Sequence, residues 1–353
     1  MSSFSFFKAP QLVQQLILEI AEPCELISIS LCSKRAHFLV RCSYIKSASK
    51  QWRQSFVGGN NLSEVQIYTR SCKYKVFGIL SEEVEKNKEE QRKLYDLKFQ
   101  ADSEIHECQL ALDENGNLDT IWEDVELGKR MLPILVTELF NIEIHDAEVD
   151  GSGVAALKFL NDRQKNMIQR ILCPVNFSDN GSSEKILSGS NLHSLLTDHP
   201  TTLSLMIMAK TPENFKCPEE ISPFPLLWLK QAPWITIDDI MKMNIEEIFV
   251  GGGKISNLDL NRFLKHWLNG GSPKLKFLTV GPLTPKSSIL KDLEQMTVLN
   301  EQPRQIQIMN LIPFRFTGAY DITREDGRMV TVNYHEEDCS IIVWPKPKEE
   351  QGF

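Results

Sequence analysis

Apolar residues near the start of the chain recur three and four positions apart. Between Ala9 and Arg41 the sequence reads APQLVQQLILEIAEPCELISISLCSKRAHFLVR, and Leu12, Val13, Leu16, Ile17 and Ile20 fall on one face of a helix, with Leu18 on the opposite side. Leu26, Ile27, Ile29 and Leu31 supply the apolar positions of a second helix. Pro10 and Pro23 each open one of these runs, where a missing backbone N–H costs nothing, and Ser33 can cap a third helix running to about Val40. Three helices of two to three turns cannot bury this much apolar surface among themselves. The surplus face must meet the rest of the chain or another protein.

The period then changes. Residues 51–61 (QWRQSFVGGNN) are polar and contain two glycines, which predicts a connection with Trp52 and Phe56 packing its junction. Val65–Tyr68, Tyr74–Leu80, Leu94–Phe99, Ile105–Leu112 and Leu118–Trp122 are short, partly alternating runs, and Asp113–Asn117 between the last two predicts a hairpin turn. Ser81–Lys93 is charged without an apolar face and predicts a solvated loop. Residues 62–125 therefore predict a small, mostly antiparallel sheet.

Further on, an apolar frame of spacing Φ-x-x-Φ-x-Φ recurs. It occurs at Leu139/Ile142/Ile144, Ile168/Ile171/Cys173, Leu203/Met206/Met208, Ile245/Ile248/Val250 and Leu275/Leu278/Val280, with a partial copy at Ile306/Ile308. Helical patterns lie between, most plainly Ser256–Asn269, with a Ser/Asn start, Leu260, Phe263, Leu264 and Trp267 on one face and a Gly270-Gly271 stop. Strand, helix and strand in about 30 residues make a right-handed βαβ unit, and several in series predict an irregular leucine-rich-repeat-like array. The gap after Met208 holds Pro212, Pro218, Pro223, Pro225 and Pro233 and predicts a long loop. Three strands, Ala319–Arg324, Met329–Tyr334 and Ser340–Trp344, predict a closing β meander, with Glu325–Arg328 and Glu336–Asp338 as its turns and 345–353 as a frayed tail. The fold class is thus α+β: residues 4–50 helical, 62–125 a small antiparallel sheet, 130–345 the repeat-like α/β domain.

Side chains alternate along a strand, so the residues before and between the later frame positions face away from the helices. Down the array these are Asn141 and Glu143, Arg170 and Leu172, Leu205 and Ile207, Glu247 and Phe249, Phe277 and Thr279, then Gln305 and Gln307. The polar ends and apolar middle (Leu172, Leu205, Ile207, Phe249 and Phe277) describe either a binding face or a face covered by another part of the chain.

Composition narrows the function classes. The chain has 353 residues, 42% of them hydrophobic and 24% charged, as in a soluble globular protein, and its net charge of −8 argues against nucleic acid as a partner. No apolar run approaches the ~20 residues a membrane span needs, and MSSFSFFKAP lacks the features of a secretory signal. The sequons at Asn61, Asn176 and Asn180 carry no information without a signal, and eight cysteines with no C-x-x-C pair read as reduced intracellular thiols.

Two stretches resemble one family. Pro10, Leu16, Ile17, Ile20, Pro23-x-x-Leu26-Ile27-x-Ile29-Ser30 and Cys32-Ser33-Lys34-Arg35 resemble an F-box, with Ala9 and His37 where the general pattern has leucine and tryptophan; Ser28–Ala36 is similar to the large nematode group of F-box proteins. Trp234–Ile240, Ile245–Val250, Asn261–Trp267 and Ser272–Leu278 resemble the F-box-associated domain of that group. The resemblance implies a non-catalytic substrate-recognition adaptor of an SCF-type (cullin–RING) ubiquitin ligase, cytoplasmic and/or nuclear. It would bind the linker subunit, and through it cullin, by Pro10, Leu12, Leu16, Ile17, Ile20, Pro23, Leu26, Ile29 and Leu31. A protein substrate would be held by the later domain, with Leu172, Leu205, Ile207, Phe249 and Phe277 as the candidate contacts. The alternative is a repeat-like interaction protein, unconnected with ubiquitination, whose first helices cap the repeat core. Exposure of Leu12, Leu16 and Ile20 separates the two.

Signals for catalysis, cofactors and metals are poor. Gly251-Gly252-Gly253 follows a strand and precedes a helix, yet forms no phosphate-binding motif, and reads as a flexible loop. His335–Cys339 reads as a solvated acidic turn, and His106 and Cys108 alternate without a second pair of ligands. No nucleophile–base constellation is present, so no cofactor, metal or catalytic residue is expected.

Overall fold

The computed structural model describes residues 6–47, 52–60, 63–70, 72–87, 92–113, 115–175, 186–199, 202–281, 289–308, 312–335 and 338–345. Helices and strands are mixed throughout, with nine α-helices among the described residues. The chain divides into two compact units, residues 6–168 and residues 169–345 among those described. The division falls inside the stretch 130–345 that the sequence pattern suggests as one domain.

The first unit opens with α1 (Gln11–Ile20), α2 (Pro23–Leu31) and α3 (Lys34–Ser47). Pro10 is the N-cap of α1. Pro23 is the first residue of α2, where Glu22 and Glu25 form a reciprocal capping box, and the Ser33 hydroxyl accepts the Ala36 N–H at 3.1 Å at the start of α3. β1 (Arg53–Gly58), β2 (Ser63–Tyr68), β3 (Lys73–Ser81), α4 (Glu82–Lys86), β4 (Tyr95–Ala101), β5 (Glu104–Leu112) and β6 (Leu118–Trp122) follow, then α5 (Val125–Phe140), β7 (Ile144–Val149) and α6 (Val154–Arg163). The sheet order is β7-β1-β2-β3-β6-β5-β4, antiparallel except where β1 meets β7 and β3 meets β6.

Three expectations for this unit change. The polar stretch 51–61 contains β1, a strand inside the sheet with Gln54 to Gly58 all buried. Its polarity is tolerated because Gln54 is satisfied: its amide donates to the Pro133 carbonyl at 2.8 Å and its oxygen accepts from Thr137 at 3.1 Å. Ser81–Lys93 is not wholly loop, since Ser81 caps the short helix α4 through the Val84 N–H. Leu139 belongs to α5, a 16-residue helix capped by Asp124, and Asn141 ends it in a left-handed conformation (φ 53). The first repeat frame is therefore a helix end followed by β7 in this unit's sheet.

One core joins the opening helices to β2, β3 and α5. Leu18, Leu26, Ile27 and Val40 from the opening helices join Val65, Ile67, Val76, Phe77 and Ile79 from the sheet and Leu132, Leu135, Val136 and Leu139 from α5. Within it the Cys24 thiol donates to the Lys75 carbonyl at 3.2 Å, tying α2 to β3.

The second unit contains β8 (Arg170–Cys173), α7 (Gly189–Thr197), β9 (Ser204–Ile207), β10 (Leu226–Leu229), α8 (Ile237–Lys242), β11 (Glu247–Gly251), α9 (Asn257–Leu268) and β12 (Phe277–Gly281). β8 to β12 lie side by side in chain order, all parallel. β10 lies within the gap expected to be one long loop; its Leu-Leu-Trp-Leu run is continuous rather than alternating. α9 has the expected start, a Ser256–Asp259 capping box, and buries Leu260, Phe263, Leu264 and Trp267, with Gly270 beyond its end at φ +92. The chain ends in β13 (Thr297–Asn300), β14 (Arg304–Ile308), β15 (Ile312–Phe316), β16 (Ala319–Thr323), β17 (Met329–His335) and β18 (Asp338–Val343). β16, β17 and β18 form the expected meander, and β18 joins it antiparallel to β12. The Arg324–Arg328 turn closes as expected, with Gly327 at φ +82, whereas Glu336, Glu337 and the tail 346–353 lie outside the described residues. Ile306 and Ile308 do not continue the array: they lie in β14, which pairs with β15 in a separate two-stranded sheet among the described residues.

Two measurements test the packing of the first unit. Leu18 is 5% exposed in the core and Leu16 is 51% exposed. Leu18→Ala is expected to cost about 2–4 kcal/mol in chemical denaturation and Leu16→Ala less than about 0.5 kcal/mol. The second concerns Asp113, which accepts the Asn115 and Asn117 N–H groups at 2.9 and 2.8 Å and Lys75 Nζ at 3.1 Å. Burial alone would raise its pKa, but the side-chain and backbone bonds of Asn117 together with Lys75 hold it at about 2, below its ordinary 3.8. A depressed carboxylate stabilises the fold above its unfolded pKa, and that stability is lost as pH falls through the folded one. The stability difference between the native chain and Asp113→Asn is therefore expected to be steady above about pH 5 and to close between about pH 4 and pH 2.

Candidate functional site

α1 presents an apolar face to solvent. Leu12, Leu16 and Ile20 are 69%, 51% and 80% exposed, one helical turn apart, with Val13 and Pro10 exposed beside them. The cause is Leu18, the one buried residue of the helix, whose insertion in the core turns the opposite face outward. The remaining candidates for linker contact are less exposed. Pro23 and Leu26 are buried, while Ile17, Ile29 and Leu31 are half-buried, the last two packed against the core. The exposed residues thus form one strip on α1, and those on α2 hold the helices to the sheet. The Arg35 guanidinium lies 4.9 Å above the Phe7 ring and pins the segment before α1 to α3.

In the second unit the parallel register sorts side chains between two faces. Ile171, Leu205, Leu227, Ile248 and Leu278 pair across neighbouring strands, and so do Cys173, Ile207, Leu229, Val250 and Val280; all ten are buried. Leu205 and Ile207 were expected on the face away from the helices and are corrected here: they share the buried face with Ile248 and Val250. The frame in Leu203–Met208 is out of phase by one residue, which exchanges the two faces of a strand. The other face carries Leu172, Met206, Trp228, Phe249 and Thr279 in one row, all half-buried, and Arg170, Ser204, Leu226, Glu247 and Phe277 in the next.

That second face is partly covered. Trp228 stacks on Phe249 with ring centroids 5.1 Å apart, Phe249 meets Phe277 at 5.1 Å, and Phe277 meets Phe314 of the β14–β15 hairpin edge-on at 5.5 Å. Phe277, Ile308, Phe316, Ala319 and Ile342 form a small core beneath the hairpin, with Ile306, Phe314 and Trp344 against it. Arg304 fixes the hairpin, lying 5.1 Å from the Phe316 ring and 5.5 Å from the Trp344 ring while binding both oxygens of Asp321 at 2.8 and 3.1 Å. Asp321 also accepts the Thr331 hydroxyl at 2.6 Å, and Thr331 in turn accepts the Trp344 indole N–H at 2.7 Å. Of the candidate substrate contacts, then, Phe277 lies under this cover, Leu172 and Phe249 are half-buried, and Leu205 and Ile207 face the core. Trp228 and Met206 complete the row: no frame marked Trp228, because β10 was not legible, and the frame Leu203/Met206/Met208 assigned Met206 to the opposite face, because it was out of phase with β9.

The positions weighed for chemistry have structural uses. A Cβ on Gly251 would stand 2.2 Å from the Lys230 carbonyl oxygen, and Gly252 turns at φ +66 while donating its N–H to Gly281 at 2.9 Å, so close strand approach accounts for these glycines. His106 is buried with Nε2 3.2 Å from the Ala101 carbonyl, and burial pushes the Cys108 thiol up to about 12. Cys339 is likewise held near 12 by burial, reinforced by the Asp338 charge. No group of three or more His, Cys, Asp or Glu side chains is placed to hold a metal among the described residues, and no described helix is long and apolar enough to cross a membrane.

Residues 213–280, from the segment before β10 to the end of β12, match the family described as F-box associated. A 78-residue stretch is 30% identical to E3 ubiquitin-protein ligase hecw-1 of Caenorhabditis elegans, covering 22% of this chain and 6% of that protein. Over 114 residues the chain is 28% identical to the F-box associated domain-containing protein sdz-33 of the same organism, covering 32% of this chain and 35% of that one. The matches thus span about a third or less of these relatives. The family match at residues 213–280 and the likeness to sdz-33 support the resemblance to the nematode F-box-associated group.

Burial at the sheet face can be measured. Phe277→Ala is expected to destabilise by about 3–5 kcal/mol and Leu205→Ala by about 2–5 kcal/mol, whereas Met206→Ala in the half-buried row should cost about 1 kcal/mol or less, read from thermal melts of the single variants.

Proposed function

We propose that the chain is a substrate-recognition adaptor of an SCF-type ubiquitin ligase. The exposed α1 strip of Leu12, Leu16 and Ile20 would dock on the linker subunit, and through it on cullin, while the second unit holds a protein substrate. The observation that carries this reading is that strip, since an apolar face turned from its own core fits a helix made to be covered by a partner. The match of residues 213–280 to the F-box associated family supports the same assignment. In this role the chain needs no catalytic residue or cofactor: holding a substrate near a loaded conjugating enzyme raises its effective concentration. The half-buried row of Leu172, Met206, Trp228 and Phe249 is the proposed substrate face, and the site of action is cytoplasmic or nuclear.

A second reading makes the chain an interaction module unconnected with ubiquitination. Its support is the shared core of Leu18, Leu26, Ile27 and Val40 with β2 and β3, which gives the opening helices a structural task of their own.

The triple variant Leu12→Asp, Leu16→Asp, Ile20→Asp separates the two. A charge placed in a desolvated apolar contact costs several kcal/mol, so binding to purified linker subunit is expected to fall by more than about 100-fold with the melting temperature within about 3 °C of the parent. Undiminished linker binding by the triple variant would sink the adaptor reading. Ile29→Asp is the contrasting control: it strikes a residue packed on the core and is expected to lower stability as well as binding.

A further inference from the structure

β4 is the outermost strand of the first unit's sheet: it pairs with β5 on one side and with no described strand on the other. Alternate N–H and C=O groups along its seven residues therefore point outward without a ladder to join. The strand alternates cleanly. Leu97, Phe99 and Ala101 are buried on the core face, with Phe99 set edge-on to Trp122 at a centroid distance of 6.1 Å. Asp96, Lys98 and Gln100 are exposed on the other face. Tyr95 belongs to the core face by this parity, yet it is 49% exposed.

Charge on an edge strand ordinarily deters pairing. Here the charges are of both signs and stand two residues apart. Lys98 is joined to Glu107 across the β4–β5 pair, while Asp96 makes no ion pair among the described residues. Two copies meeting edge to edge about a two-fold axis normal to the sheet would pair antiparallel, with opposed residues on the same face. The axis must then pass through a residue, and the choice of residue decides the charges. An axis through Asp96 or Lys98 sets like charges against each other, and one through Phe99 sets Lys98 against Gln100. Within the strand, only the axis through Leu97 sets Asp96 of each copy against Lys98 of the other. An ammonium has three donors, so Lys98 can hold Glu107 and that aspartate together. In the same register Leu97 meets its counterpart, and Tyr95 lies opposite Phe99, where its half-exposed ring gains cover at the margin of the core.

We infer that β4 is a homodimer interface, in which a second copy of this chain adds its own β4 antiparallel about Leu97 and the two Asp96–Lys98 pairs fix the register. The inference does not depend on the ligase reading.

Sedimentation velocity of the full chain between about 1 and 300 µM tests it. A short strand overlap buries less than a standard interface, so the expected Kd is on the order of 10–100 µM. Asp96→Lys and Lys98→Asp each oppose like charges twice, and each alone is expected to weaken association by at least about tenfold. Both change exposed side chains, so their melts should stay close to that of the parent. An equimolar mixture of the two single variants is the decisive sample. There an introduced lysine at position 96 faces an introduced aspartate at 98, and the native lysine and aspartate face each other across the other pair, so a heterodimer of near-native affinity should form. A monomer throughout the range, association that both single variants leave unchanged (as contact through the α1 strip would be), or a mixture that stays monomeric would overturn the inference. No linker subunit enters these measurements, so their failure is distinguishable from failure of the adaptor reading.

Discussion

The parallel register of β8 to β12 governs the second unit. Once Ile171, Leu205, Leu227, Ile248 and Leu278 stand side by side, every neighbouring residue is assigned to a face, and a single-residue slip in one strand would send Leu205 and Ile207 out of the core and Met206 into it. The aromatic series Trp228, Phe249 and Phe277 is a consequence of that register, since strand spacing places the three rings within stacking distance. The β14–β15 hairpin extends the series through Phe314, and Arg304 secures it by joining a bidentate ion pair to two aromatic faces. One end of the face is thereby covered, and the other keeps a row of half-buried apolar groups.

In the first unit the corresponding constraint is a single side chain. Leu18 is the only residue of α1 buried among those described, and a helix anchored along one narrow line must expose the line opposite. Leu12, Leu16 and Ile20 are exposed because Leu18 is not. Meanwhile α2 buries Pro23, Leu26 and Ile27 and bonds through Cys24 to Lys75, so the module is rigid where it meets the sheet.

Much of this was legible in the sequence where one physical signal acted alone. Alternation placed β2 to β6 to within a few residues, and cap chemistry placed α9 from Ser256 to Gly270. Failures arose where a signal was absent or overruled. β1 reads as a polar linker because its cost is met far along the chain, by Pro133 and Thr137 bonding Gln54. β10 lay hidden among prolines, and its Leu-Leu-Trp-Leu run has no period. The run Leu203–Met208 has only one polar residue, Ser204, so composition gave no phase for β9, and pairing with β8 and β10 supplied it. In α5 the interior Pro133 works against a helix, and the Asp124 cap with the buried Met131, Leu132, Leu135, Val136 and Leu139 outweighs it. For the candidate site, the exposed half of the α1 strip was readable from the helical wheel, whereas the sheet row required the register.

The two surfaces differ in what a partner would have to supply. The α1 strip projects three aliphatic side chains from a helix whose backbone bonds are already made, so a partner covering it gains apolar burial with little ordering cost, and affinity should follow the area covered. The sheet row is half-covered already, and a ligand there gains less from burial and more from fitting beside fixed aromatic rings, which favours selectivity over strength. An adaptor needs that division of labour. Its contact with the common partner should be strong and insensitive to cargo, and its contact with cargo should be discriminating and releasable. An apolar helix face on one unit and a partly shielded aromatic row on the other are suited to those two kinds of contact under the proposed adaptor reading.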